Sequence, residues 1–351
     1  MDFIGIILMA IRVFVIFFVV MNLVPLLIYL ERKVVAQFQM RIGPNRVGPA
    51  GVLQPIADAI KLMMKEDIMP TGADKIIYTL APMMAIVPAI LACVVIPFGP
   101  VWWTRGTDLN HSVLYSLALS SLSVYAVTLA GWASNNKYSL LGALRASAQM
   151  ISYEMGMTLA VISLLMVTQI MSLSKIVEQQ HLHGWNIIGG GDPVRMITML
   201  IAFGIFSICG IAETNRAPFD MAEAESELVA GFHTEYSSFK FAMFFMAEYI
   251  HMIVFSALAT TLFFGGWSGP GISFDPATGT VAGGWPFALL GVVYFLLKVF
   301  AFLYMYFWIR ASLPRFRYDR LMNFGWKRLV PLSLANIFLV GMIIAWRSKW
   351  F

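Results

Sequence analysis

Residues 239–265 read F-K-F-A-M-F-F-M-A-E-Y-I-H-M-I-V-F-S-A-L-A-T-T-L-F-F-G, an apolar and aromatic run broken only by Lys240, Glu248 and His251 among its ionisable groups. A helix that crosses a bilayer needs about 20 mainly apolar residues, so this run predicts a membrane span. Immediately upstream lies a segment of opposite character, Glu213 to Tyr236: E-T-N-R-A-P-F-D-M-A-E-A-E-S-E-L-V-A-G-F-H-T-E-Y. It carries the carboxylates Glu213, Asp220, Glu223, Glu225, Glu227 and Glu235 against Arg216 and His233. A solvated acidic loop is the plain reading. Against it, Phe219, Met221, Leu228, Val229, Phe232 and Tyr236 recur through the segment, which predicts a folded element at a membrane edge. Carboxylates held close together cannot all ionise freely, and such groups exchange protons near neutral pH.

Outward from that pair, further apolar runs predict spans at roughly 3–30, 78–98, 113–133, 147–171, 195–212, 285–309 and 329–346, eight with the first. Spanning structures are helices or closed barrels, and no alternating strand pattern competes. The expectation is an all-α polytopic membrane protein, one helical domain over residues 1–351. Composition agrees: 59% hydrophobic, 12% charged, mean hydropathy +0.77, where soluble domains are about 25% charged. The net charge of +5 calls for no nucleic acid, because basic cytoplasmic loops account for it. Loops on one side carry seventeen Lys and Arg and those on the other carry five. The basic side is therefore expected in the cytoplasm or matrix, with both termini on the opposite, periplasmic side. Asp2 stands where a leader would be basic, so the first run is expected to stay as an anchor. Cys93 and Cys209 lie far apart in apolar runs, which argues against a metal or iron–sulfur site on this chain.

The inner loops, 31–77, 213–238 and 310–328, are the informative ones. The first opens Glu31-Arg32-Lys33 and continues into a five-residue repeat, Arg41-Ile42-Gly43-Pro44 and Arg46-Val47-Gly48-Pro49. Gly-Pro pairs stop helix and would present both arginines on a rigid turn, as charge anchors or for a docked partner. Residues 52–66 read as an amphipathic helix, with Val52, Leu53, Ile56, Ala59, Ile60 and Met63 on one face and Asp58, Lys61, Lys65 and Glu66 mostly on the other. It is too short and polar to span, so an in-plane interfacial position is expected. Within the spans, Glu154, Glu248, His251 and Lys298 stand out. A charge at mid-bilayer costs about 2.5–3.5 kcal/mol on insertion scales. Such groups face protein or water; they predict either a proton relay or structural pairs, for which Lys298 offers a cation.

Four strings carry a resemblance over residues 22–335: E-R-K-V-V-A-Q-F-Q-M-R-I-G-P-N-R-V-G-P, L-Q-P-I-A-D-A-I-K-L, the acidic segment, and L-P-R-F-R-Y-D-R-L-M. They resemble the H subunit (mitochondrial subunit 1) family of proton-translocating NADH:quinone oxidoreductase, respiratory complex I. The resemblance implies a quinone-access tunnel involving Glu31, Arg32, Arg41, Arg46, Asp58, Lys61, Phe219, Asp220, Glu223, Glu225, Glu227 and Arg315. It implies a buried acid pathway through Glu154, Glu213, Glu235 and Glu248, which His251 and Lys298 would extend. It also implies quinone as substrate, with FMN and iron–sulfur clusters in partner subunits of the hydrophilic arm and antiporter-like and small subunits alongside in the membrane arm. The location implied is the bacterial plasma membrane or the mitochondrial inner membrane. Two other classes stay open at this point: the homologous subunit of a membrane-bound hydrogenase, and a self-sufficient proton or cation transporter.

Overall fold

The computed structural model describes residues 3–101, 104, 107, 109–221, 229–272, 274–275, 280–281 and 285–348. Among them the helices are α1 (Phe3–Phe38), α2 (Gln54–Met63), α3 (Lys75–Val94), α4 (Ser112–Ala133), α5 (Lys137–Thr168), α6 (Leu173–His183), α7 (Pro193–Glu213), α8 (Ser238–Phe263), α9 (Trp285–Ser312), α10 (Tyr318–Phe324) and α11 (Val330–Ser348). A π-helical turn, Gly325–Leu329, joins α10 to α11, so 318–346 is one crossing element. Among the described residues eight helices are long and apolar enough to cross a membrane, as the apolar runs predict. An antiparallel two-residue hairpin, Phe274–Asp275 with Thr280–Val281, lies in the connection between α8 and α9.

Several boundaries differ from the hydropathy reading, two of them in an informative way. Helix α1 continues from residue 30 to Phe38, because Arg32 and Lys33 end the apolar run but do not break a helix. At 36 residues it is about 54 Å long, well beyond a hydrocarbon core of about 30 Å. It is therefore long enough to carry Glu31 and Arg32 beyond a hydrocarbon core. Helix α5 starts at Lys137, ten residues before the predicted span, because Asn136 accepts a bond from Tyr138 N–H and caps it. The amphipathic helix expected over 52–66 is present as α2. Its Ile56, Ile60 and Met63 are exposed, while Asp58, Ala59 and Leu62 line a cavity.

Helix α8 is the centre of the bundle. From Tyr249 to Phe263 every residue is buried, as expected of a helix apolar all round. Its C-terminal carbonyls lack partners within the helix and are met by side chains from elsewhere. Gln180 donates to Thr261 O at 2.7 Å and Asn186 to Leu262 O at 2.8 Å. Lys298 donates to Phe264, Gly266 and Ser268 carbonyls at 2.7, 2.9 and 2.7 Å. Its three N–H groups are thereby used, and its ammonium lies 4.7 Å from the centre of the Trp185 ring.

At the other end of α8, segment 231–236 is seated on α5. Ser139 donates to Phe232 O at 2.9 Å, and Asn136 donates to the Glu235 carboxylate at 2.6 Å. The approach is so close that a Cβ on Gly142 would stand 2.7 Å from Gly231 Cα. Gly142→Val should therefore lower the thermal stability of the assembled protein by about 1–3 kcal/mol. Gly204→Ala on α7, where a Cβ meets nothing within 4 Å, should be neutral. Thermal unfolding of the two variants side by side checks this.

Candidate functional site

A cavity of about 970 Å³ opens at the end of the bundle that carries α2. Part of its wall is apolar: Val24 and Ile28 from α1, with Phe241, Phe245 and Met246 from the start of α8. The charged part of the wall is Glu31, Arg32, Arg41, Asp58, Arg216, Asp220, Glu248 and Arg310. A single sequence could not show that these segments meet, because they are separated by up to 279 residues (Glu31 to Arg310).

Glu31 is the fixed point of the charged wall. It is 3% exposed and its Oε1 accepts from Arg216 at 2.7 Å and from Arg310. The Arg216 guanidinium also lies 4.2 Å from the centre of the Tyr249 ring. One carboxylate thus ties α1, the chain leaving α7 and the end of α9. Two less buried pairs frame it. Arg32 donates to Asp58 at 2.5 Å, bracing α2 against α1, and Gln54 donates to the second Asp58 oxygen at 3.0 Å. Arg315 donates to Asp220 at 2.6 Å, and Phe316 N–H donates to Pro218 O at 3.2 Å, so the loop after α9 is pinned to the wall.

Beneath the wall, Gln149 of α5 is fully buried. Its amide donates to Ala212 O at 2.8 Å and to Phe219 O at 2.7 Å, clamping the chain between α7 and the wall. Phe219 is 7% exposed and packs its ring on Tyr153 and Phe316; it is a support behind the cavity, not a lining residue. Arg46 and Lys61 are exposed and do not line it either. Glu223, Glu225 and Glu227 lie outside the described residues. Sequence reasoning missed Arg310, Arg216, Tyr249 and Gln149 as site residues. The one cue was that Arg216 stands alone as a base in an acidic segment; Arg310 was absorbed into the count of basic loop residues.

The buried acids fall into separate places. Ser121 of α4 donates to Glu154 of α5; its neighbour Ser120, whose hydroxyl donates to Leu117 O at 2.8 Å, lies near Glu213 of α7. The two carboxylates are near one another, and Glu213 is also near Tyr306. Glu235 sits apart, on Asn136, beside the stacked rings of Tyr78 and Tyr236, whose centroids are 4.1 Å apart. Burial first, and then its neighbour Tyr78, holds the Tyr236 hydroxyl proton above the usual tyrosine range. Glu248 lines the cavity itself. His251 is buried one turn further along α8, against Phe255. Lys298 is at the opposite end of α8 and bonds backbone carbonyls there; the structure brings it to none of the acids expected to share a relay with it. Among the described residues no group of three or more His, Cys, Asp or Glu could hold a metal ion.

The two kinds of ion pair in this wall should respond differently to truncation. Glu31 is buried between two cations, and removing one partner of a buried pair costs about 3–5 kcal/mol. Arg32 and Asp58 are half-exposed, and pairs of that kind are worth about 0–1 kcal/mol. Arg216→Ala should therefore lower the melting temperature of the assembled protein markedly, and Arg32→Ala should barely move it. Equal shifts in calorimetry would contradict the ranking.

Comparison with known proteins assigns the sequence to a family. The NADH dehydrogenase family model matches residues 11–341. A protein of Koribacter versatilis, named as the second of its H subunits of NADH-quinone oxidoreductase, is 46% identical, over 95% of this chain and 96% of its own length. The NADH-quinone oxidoreductase H subunit of Brevibacillus brevis is 47% identical over 95% and 92% of the two chains. That of Deinococcus deserti is 49% identical over 91% of this chain and 79% of its own. The chain belongs to this family, the membrane-embedded H subunits of NADH-quinone oxidoreductase complexes.

Proposed function

We propose that this chain forms the membrane-side wall of a quinone chamber and passes changes of protonation from that chamber to acids buried in the bundle. The observation that carries the reading is the cavity of about 970 Å³, part apolar and part charged. A lipid-soluble quinone has an isoprenoid tail that needs an apolar wall and a head whose oxygens need donors. Val24, Ile28, Phe241, Phe245 and Met246 suit the first, and Arg32, Arg41 and Arg216 suit the second. Flavin and iron–sulfur clusters would sit in partner subunits of the hydrophilic arm and supply the electrons. Positive-inside charge supports placing the cavity end in the cytoplasm or matrix and both termini on the opposite side. The membrane would then be a bacterial plasma membrane or a mitochondrial inner membrane.

Reduction of a quinone consumes two protons with two electrons. This chain's part is to offer protonatable groups next to the head and cations that hold negative charge on its oxygens. Asp58, Asp220 and Glu248 line the cavity, and the first two are each held by an arginine. A charge change at the head alters the balance around Glu31, Arg216 and Arg310. Arg216 stands three residues from Glu213, and Gln149 clamps the chain on both sides of it. Movement of that arginine is therefore tied to the Glu213–Glu154 pair. The outer side of that pair supports a partner in the membrane arm. Leu122, Tyr125, Ile151 and Met155 are exposed around the half-buried Glu154, and a carboxylate left against lipid would be costly. Small and antiporter-like subunits would cover that face.

The experiment is proton pumping by the assembled complex in proteoliposomes. Glu154→Gln and Glu213→Gln should keep most NADH:quinone reductase activity and lose most of the accompanying proton uptake. Undiminished pumping in both variants would remove these acids from the coupling path. Arg216→Lys should instead lower quinone turnover, because an ammonium cannot replace the planar fork that meets Glu31 while lying on Tyr249.

A further inference from the structure

At the end of the bundle opposite the charged cavity lies a second one of about 320 Å³. The last turn of α5 supplies Val167 and Thr168, α6 supplies Gln179 and His183, and α7 supplies Arg195 and Met199. The connection 184–190 closes it through glycines at positive φ, with Gly184, Gly189 and Gly190 at 92°, 70° and 61°. A side chain at Gly189 is excluded twice over, since its Cβ would stand 2.5 Å from Met196 N. The loop is thus shaped to keep its backbone close to the start of α7 while leaving space beside it.

The cation in this space is Arg195. Its side chain is 42% exposed, and its one described polar neighbour is Asp192, 3.7 Å from Nε. That distance is too long for a hydrogen bond, so the donors of the guanidinium fork are not engaged among the described residues. His183 engages Nδ1 with Gln179 O at 3.2 Å, which leaves Nε2 as a second nitrogen at the rim. The level in the membrane is set by the spans themselves: α5 ends at Thr168 and α7 begins at Pro193. Trp185, between them, has its ring beside Phe264 and Lys298, the setting of an interfacial aromatic. Close in sequence to the lining residues, Met171, Ile188, Val194 and Ile197 are exposed apolar side chains.

We propose that this pocket holds the phosphate of a membrane phospholipid headgroup, with Arg195 as its main donor and His183, in its imidazolium form, as a second through Nε2. Arginine presents a planar fork matched to phosphate oxygens. Val167 and Met199 make part of the lining apolar, and the exposed apolar side chains nearby give acyl chains a place to lie. Inorganic phosphate offers the same oxygens but no tail, so those side chains favour the lipid. The assignment is independent of the quinone chamber, which lies at the other end of α8.

The test uses the intact complex, delipidated in detergent and titrated with phosphatidylglycerol. Native mass spectrometry counts lipid on the released chain, and cryo-EM locates it. The expected result is phosphate density beside Arg195, with lipid binding at this site roughly tenfold weaker in Arg195→Gln. Lys175→Gln, on the exposed side of α6, should bind as the parent does. If Arg195→Gln does not assemble, His183→Gln supplies the same comparison. Unchanged lipid binding in these variants, or a neighbouring subunit's side chain in the pocket, overturns the proposal. Density that inorganic phosphate alone restores as well as the lipid does would assign the pocket to a soluble anion and overturn it equally.

Discussion

A carboxylate with almost no access to solvent must be compensated where it stands, and Glu31 is compensated by arginines from two distant parts of the chain. That single requirement organises the end of the bundle where the large cavity lies. Helix α1 has to continue beyond its apolar run to place Glu31. The strand of chain leaving α7 has to turn so that Arg216 reaches it, and α9 has to end with Arg310 beside it. Once those three elements are fixed, the apolar start of α8 and the inner face of α2 close the remaining sides. The cavity is bounded by a neutralised charge cluster and by packed aromatic side chains.

Much of this was legible in the residues taken one at a time, and the reason is simple. Burial in lipid demands long apolar runs, so eight crossings could be read from hydropathy alone. Where the reading erred, it confused the end of an apolar run with the end of a helix. Arg32 and Lys33 are good helix formers, so α1 continues to Phe38; Asn136 caps α5 ten residues before the predicted span begins. The site was partly legible for a related reason. Glu31, Arg32, Arg41, Asp58, Asp220 and Glu248 do line one cavity. Arg46 and Lys61 share their neighbourhood in sequence but point away from it, since a turn of helix or a Gly-Pro bend sends adjacent side chains in different directions. Arg310, Tyr249 and Gln149 were invisible because their importance is a matter of which distant segment they touch.

The acids within the bundle show the same division between kind and place. On one helix Ser121 holds Glu154 from a second, and Glu213 from a third comes near Ser120 beside it. Nothing in the spacing of those four residues announces the arrangement. Asn136 does a comparable double task, capping α5 through its oxygen and holding Glu235 through its nitrogen. In both cases a small polar side chain places an acid without adding a full charge to the membrane. Lys298, read as a partner for those acids, serves a backbone instead.

That use of Lys298 has a consequence for how the polypeptide enters the bilayer. An ammonium leaving the translocation channel inside its seventh crossing would be stranded in hydrocarbon if its acceptors were still to be made. Here the carbonyls of residues 264, 266 and 268 are synthesised some thirty residues earlier, at the mouth of the sixth crossing. The growing chain therefore carries its own receptor for the charge that follows, and the ribosome's direction of travel is the one in which that receptor is ready first.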